Sequence, residues 1–366
     1  MVRFSALAGA TLTVMAFAVQ PAAAQEYATT TVDKTRVWVG GGYQFLSLPE
    51  IQFTGTGGLG NLKRQNNTEK DFWDIGGSTG AGIETAFGMW GDVLVSGAVK
   101  GFYSNVETDR RVKCNGGGVT CVVIDPTGAN TFLSSTLNTK ATKDADYWGG
   151  QAELKFATGA PREIKPELYR MDYYIAGFDI RGIDQDSRVH SSAGTVFTYK
   201  ENLETTYTGG YIGFGGEYSF GFIPVVGNAF KQKGGILDRL GLRTYLNATA
   251  GLYNAETDYT GTFSGPAATS TRLSNSNDEL AFIGTVSLET RAQLSDRTSL
   301  SFWTDYEYIS SVPQLHYARP GGSTRLTDDD LFASRTMLRL NIGLGSQQLY
   351  ADAPYAPETY SAAAIK

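Results

Sequence analysis

The sequence predicts an all-β fold: a single antiparallel transmembrane β-barrel of about ten strands, with counts from eight to twelve open. Three observations carry this. Apolar and polar residues alternate with period two in segment after segment, which is the strand signal. The connections between segments alternate between short and long. Glycine is abundant, at 44 of 366 residues, and aromatics reach 12 %, yet mean hydropathy is only −0.21. A membrane barrel gives this mildly polar average because only every second residue of a strand meets lipid. Charged residues are 19 % and the net charge is −6, which leaves no basic footprint for nucleic acid.

The chain opens with Met1-Val2-Arg3, an apolar run over residues 4–19, and Ala22-Ala23-Ala24 before Gln25. This reads as a secretory signal peptide over 1–24, with an A-x-A cleavage site. Gln25 stands where a lipoprotein would need Cys. A short N-terminal segment, 25–34, precedes a barrel over 35–345, and residues 346–366 form a periplasmic tail. No later run is long and apolar enough to span a membrane as a helix.

Ten strands follow in order. Val37, Val39, Tyr43 and Phe45 lie opposite Arg36, Trp38 and Gln44. Ile75, Ala81, Ile83 and Phe87 oppose Asp74, Ser78 and Glu84. Val95, Val99 and Tyr103 oppose Ser96 and Lys100, and Trp148, Leu154 and Phe156 oppose Gln151, Glu153 and Lys155. Tyr174, Phe178 and Ile180 alternate with Asp179 and Arg181; Ile212, Phe214 and Tyr218 with Tyr211 and Glu217; Leu246, Ala248 and Leu252 with Arg243, Tyr245 and Asn247. Phe282, Val286 and Leu288 alternate with Glu289 and Arg291; Phe302, Tyr306 and Tyr308 with Ser301, Asp305 and Glu307; Leu338, Leu340, Ile342 and Leu344 with Arg335, Arg339 and Asn341.

Residues 88–92 (GMWGD) and 295–298 (SDRT) read as tight periplasmic turns, and 158–167 (TGAPREIKPE) as a longer one. Polar segments near 47–72, 107–145, 184–205, 255–278 and 311–331 read as long outer loops. Connection 221–241 breaks the scheme, being long and apolar where a short turn is due; it reads as an interfacial helix or a missed hairpin. A soluble secreted β-sandwich also shows period two, but it rarely alternates short and long connections so regularly.

With these features the chain resembles the Gram-negative outer-membrane β-barrel proteins in the broad, porin-like sense. The resemblance covers about 35–345 and is architectural, since no catalytic or selectivity motif is matched. It implies a place in the cell outer membrane of a Gram-negative bacterium, contact with membrane lipid and lipopolysaccharide, and handling by the barrel-insertion machinery. Members usually end on a strand whose last residue is aromatic. Here "RTMLRLNIGLG" is followed by a tail with Tyr350, Tyr355 and Tyr360. That tail reads as a disordered linker end or as a peptide that docks on a periplasmic partner.

Cys114 and Cys121 are the only cysteines. In an exported chain, with neither a zinc-site nor a C-x-x-C pattern, they read as a disulfide in the second outer loop. So small a ring contributes about 2.5 kcal/mol. No cofactor or metal is expected, and no catalysis. His190 and His316 fall in outer-loop segments and lack the acidic spacing of an omptin-type protease or the strand-borne setting of a Ser–His lipase barrel. The acidic runs Asp278-Glu279 and Asp328-Asp329-Asp330 read as solvated loop tips, without the spaced ligands of a calcium loop.

The inward faces are more informative. Lumen-lining charges are Arg36, Lys100, Lys155, Arg181, Arg243, Arg291, Arg335 and Arg339 against Glu84, Glu153, Asp179, Glu217, Glu289, Asp305 and Glu307, with Asp74 beside them. Inward glycines, including Gly40, Gly82 and Gly215, leave space for water. Two functions follow: a narrow porin-like channel for small solutes, which leads slightly, or a non-conducting structural or surface-interaction barrel with a salt-bridged lumen. On the last three strands an ion network is expected, with Arg291 near Asp305, and Arg335 and Arg339 reaching Glu307 and Asp305.

Overall fold

The computed structural model describes residues 30–57, 61–65, 67, 74–91, 93–115, 120–158, 162–163, 169–219, 242–266, 269–295 and 297–349. The expected signal peptide, the 221–241 connection and the tail from 350 onward lie outside the described residues. Fifteen strands occur in chain order: β1 (Thr30–Leu46), β2 (Thr54–Thr56), β3 (Lys63–Arg64), β4 (Asp74–Trp90), β5 (Val93–Asn115), β6 (Cys121–Ile124), β7 (Thr131–Ser134), β8 (Thr136–Thr158), β9 (Arg162–Glu163), β10 (Tyr169–Gly194), β11 (Phe197–Ser219), β12 (Arg243–Ser264), β13 (Ser270–Gln293), β14 (Thr298–His316) and β15 (Arg325–Leu349).

Ten of these are long and form one ring. Each pairs antiparallel with the next long strand in the chain, β10 pairs with β11, and β15 returns to β1. At the level of the apolar outward face, closure removes the sheet edges, which a strand in hydrocarbon requires; beyond it the β13–β14 pairing stops at Ile283↔Ile309. Following paired residues once around the ring from Thr35 leads to Phe332, whose carbonyl accepts the Ser47 amide. The path returns to β1 twelve residues beyond its start (47 − 35). A ten-strand barrel with that stagger has strands tilted roughly 40° from its axis. Pairing extends to Thr30↔Leu349, so 30–34 and 346–349 belong to the terminal strands rather than to a leading segment and a tail.

The strands are too long for a membrane alone. β10 has 26 residues, whereas about 9–11 suffice to cross. Along β10, Tyr174, Phe178 and Ile180 point outward and are exposed; beyond them, Asp186 and Arg188 occupy the same outward face. The other strands change at the same level, at Asp146 on β8, Glu204 on β11, Asn254 on β12 and Asp278 on β13. The apolar outward belt extends to the turn end, where Phe87 and Trp90 are exposed. The remaining ten or so residues of β10 raise the wall by a further ~25–30 Å beyond the belt.

This corrects the expectation of long outer loops. Most of 107–145, 184–205, 255–278 and 311–331 is strand. Above the membrane the outward face is polar because it meets water, and the inward face supplies the apolar half of the alternation. His190 therefore sits on β10, and the acidic runs sit within β13 and β15. The loops that remain are used differently. β2 and β3, from the β1–β4 connection, pair with β6 and β7, from the β5–β8 connection, as a separate four-stranded sheet.

Candidate functional site

All fifteen charges expected in the lumen lie on inward positions, and the register explains many of their partners. Arg36 directly faces Glu84 across β1 and β4 and donates to it. Glu84 also receives Lys155 at 2.8 Å. Lys155 lies 3.6 Å from Glu153, which takes Lys100 at 3.0 Å and the Tyr211 hydroxyl at 3.0 Å. Toward the turn end, Arg243 meets Glu217 at 2.8 Å. Across the ring, Arg291 donates to Glu289 at 2.8 Å and to the Tyr245 hydroxyl at 2.7 Å.

The expected network on the last strands is partly redrawn. Arg335 pairs with Asp305, its register partner on β14. Arg291 turns to Glu289 instead of Asp305, and Arg339 lies 3.8 Å from Glu289 rather than on Asp305 or Glu307. Glu307 is taken across the lumen by Arg181 of β10, which also holds Asp179, while the Tyr147 hydroxyl donates to Glu307. Arg181 is only 2 % exposed. Charges at such depth persist only when paired and hydrogen-bonded.

Aromatic partners for the lumen arginines are what sequence reading left out. The Arg339 guanidinium lies 3.7 Å from the centre of the Trp303 ring and 4.0 Å from that of Trp38. Arg335 stacks on Phe102 at 3.4 Å. The expected space beside the inward glycines is occupied by these groups. A Cβ on Gly40 would sit 2.7 Å from Arg339 Cγ, and one on Gly82 would sit 2.5 Å from Trp38 Nε1. Trp38 and Trp303 do fall on the same face as Arg36 and Asp305 in the period-two pattern; that was the available signal.

Above the Arg181–Glu307 level the lumen changes character. Ile183, Tyr207, Ile283, Ile309, Val312 and Leu331 form a buried apolar layer with Leu46 and Val106. A second layer lies above it, where the four-stranded loop sheet fills the barrel mouth. Phe53, 1 % exposed, stacks on Tyr199 at 3.9 Å and meets the edge of Tyr317 at 6.0 Å. Ile51, Val123, Val189, Leu203 and Phe263 complete this layer. Each such side chain contributes about 2 kcal/mol by leaving water.

Several polar groups in the plug are satisfied locally. Tyr317 donates to Glu201 at 3.0 Å, and Lys143 donates to the Pro49 carbonyl at 2.7 Å. Arg64 donates to the carbonyls of Phe53, at 2.9 Å, and Ala318. Burial lowers the Arg64 pKa to about 10 and raises that of Tyr317 well above its ordinary value. The Cys114–Cys121 disulfide is present, but both residues are buried in this core rather than placed at a loop tip. It ties β5 to β6, an inner strand of the loop sheet. Neither histidine reaches the lumen network: His190 Nδ1 lies 3.1 Å from Thr198 Oγ1 on the outer wall, and His316 is exposed at the end of β14.

A closed up-and-down ring with an apolar belt outside and paired charges inside defines an outer-membrane β-barrel. No known family matches the sequence, and no curated protein matches it. Among solved structures, the chain is similar to the outer membrane protease OmpT from Escherichia coli, with 9 % identity over 87 % of this chain and 99 % of that one, at a TM-score of 0.41. It is also similar to a Pseudomonas aeruginosa FadL homologue, with 8 % identity over 85 % and 91 %, at a TM-score of 0.26. At those scores neither likeness bears on function, and the assignment rests on the barrel's own geometry.

Proposed function

We propose that the protein is a non-conducting outer-membrane barrel whose working surface is the polar cylinder it raises outside the membrane. One observation supports this above the others: the outer half of the lumen is filled by packed apolar side chains and a wedged loop sheet. A hydrated path would have to displace the core around Phe53, Tyr199 and Tyr317. Ten strands also lie near the size whose interior side chains fill, far from the sixteen or more of open channels. On this reading the belt meets lipid, the wall above it meets lipopolysaccharide and extracellular partners, and no catalytic step is assigned.

The porin-like channel is the second reading, favoured by cavities among the belt-level charges. Planar-bilayer recording of the purified, refolded protein separates the two. Wild type is expected to give no steady current, and Phe53→Ala with the disulfide reduced to give openings. Stable unitary steps from the oxidised wild type would establish the channel instead.

A further inference from the structure

The belt-level lumen holds one more positive charge than its carboxylates balance. A cavity of about 110 Å³ lies at its centre. Six cations line it, Arg36, Lys100, Lys155, Arg291, Arg335 and Arg339, against five carboxylates. Arg181 and Asp179, just beyond the lining, add one charge of each sign and leave the excess unchanged.

The carboxylates already have close partners. Glu84 is held by Arg36 and Lys155, Glu153 by Lys100, Glu289 by Arg291, Asp305 by Arg335 and Glu307 by Arg181. Arg339 is left over. Its nearest ion-pair contact is the 3.8 Å approach to Glu289, too long for a hydrogen bond, and its side chain is 9 % exposed. A guanidinium buried to that depth without a close counter-charge is costly.

The local architecture suits a ligand. Trp38 and Trp303 lie against the Arg339 guanidinium, and Arg335 lies 5.3 Å from the same Trp303 ring. Stacking fixes the guanidinium groups while leaving their N–H edges free to donate. Among the described residues, Nε of Arg339 and both Nε and Nη1 of Arg335 are buried without a hydrogen-bond partner. Arg339, with no close acceptor, and Arg335 both line the cavity, and guanidinium N–H groups beside one cavity suit a planar oxyanion, which accepts paired N–H bonds. The cavity has room for a small anion with several waters.

The lumen continues toward the turn end. A second cavity, of about 60 Å³, shares Arg36, Glu84 and Lys155 with the first and continues down to Leu94, Ala157 and Met171. On the other side stand the two apolar layers.

We propose that this lumen is a binding pocket for one small monovalent oxyanion, a short-chain carboxylate by its chemistry, held by Arg335 and Arg339 and entered from the periplasmic end. The site does not depend on the outer plug being watertight, so it stands or falls separately from the non-conducting reading.

The test uses full-length protein in detergent or nanodiscs, with sodium acetate replacing sodium chloride at fixed ionic strength. Tryptophan fluorescence is the readout, because Trp38 and Trp303 touch the site. A saturable change with a single midpoint is expected. No change, or a linear drift across the whole range, overturns the proposal. In Arg339→Met, which keeps bulk and loses the charge, the midpoint should rise at least about tenfold, as the loss of one charge-assisted hydrogen bond implies. An unmoved midpoint in folded variant also overturns it. If that variant fails to fold, the wild-type titration still decides.

Discussion

The two halves of this barrel use the same strands and opposite solvents. In the belt half, Phe178 and Ile180 face lipid while Asp179 and Arg181 face inward. A few residues further along β10, Asp184 and Asp186 face outward while Ile183 and Val189 are buried inside. On β10 nothing in the backbone marks the switch; the strand stays paired on both sides through it, with one irregularity near Ser191. The pleat decides which residues share a face, and the medium decides which face is apolar. Below the switch, hydrocarbon takes the apolar face and leaves the charges to neutralise one another. Above it, water takes the polar face and the interior packs like that of a soluble protein.

The sharpest way to break the comparison is to remove the charge that holds the belt lumen together. Arg181→Met leaves Asp179 and Glu307 buried without their cation and should cost about 3–5 kcal/mol. The temperature at which the folded band disappears on gels should fall accordingly. Adding Asp179→Asn and Glu307→Gln should recover much of the loss. A single-variant cost below about 1 kcal/mol would mean that these charges are separately hydrated, as in a wide pore.

The outer half should break differently. Phe53→Ala removes the centre of the plug, at a cost of about 3–5 kcal/mol. Because Phe53 belongs to a loop sheet rather than to the ring, the loss should be local. Proteolysis within 47–57 should become fast while the folded band keeps its heat resistance. Loss of that resistance would show the two halves to be one cooperative unit. Reducing Cys114–Cys121 should act in the same place and more weakly, by about 2.5 kcal/mol, read as faster cutting between 120 and 135.

How much of this was legible follows from the same inversion. The ten strands and their inward charges could be read because the belt obeys the apolar-out template. Arg36–Glu84 and Asp305–Arg335 join neighbouring strands, so adjacency sufficed. Arg181–Glu307 joins β10 to β14, which are not neighbours; only the closed ring brings them together. Arg339 was assigned the wrong carboxylate because Asp305 was already matched by register to Arg335. The outer wall was mistaken for loops because Asp184, Asp186, Arg188 and Glu204 suggest solvent, which is correct, and solvent was equated with loop. Ile183, Val189, Leu203 and Tyr207 alternate with them and carried the missing signal. The plug was not legible, since Ile51, Phe53 and Val123 have no periodicity that names their partners.

The smallest effect concerns a feature of the outer wall just above the belt. Asp146 faces Asp184, Asp184 faces Glu204, Glu204 faces Asp258, and Glu256 faces Asp278, each pair directly opposite across neighbouring strands. Like charges so placed are destabilising. Asp184 and Asp146 are partly relieved by donors, Trp148 Nε1 at 3.2 Å and the Tyr103 hydroxyl at 2.5 Å. Glu204 is exposed and stands between two carboxylates. Glu204→Gln should therefore stabilise the barrel, by roughly 0.5 kcal/mol at low salt. Because the row is outside the membrane and in water, 1 M salt should screen the repulsion and erase most of that difference. The belt lumen should barely respond to salt: its buried pairs are little screened, so Arg181→Met should cost nearly the same at both salt concentrations. Unfolding of wild type and both variants at about 0.01 M and 1 M salt tests the two halves in one experiment. A salt-independent gain from Glu204→Gln, or a salt-sensitive loss from Arg181→Met, would show that water reaches them in a different order from the one the wall implies.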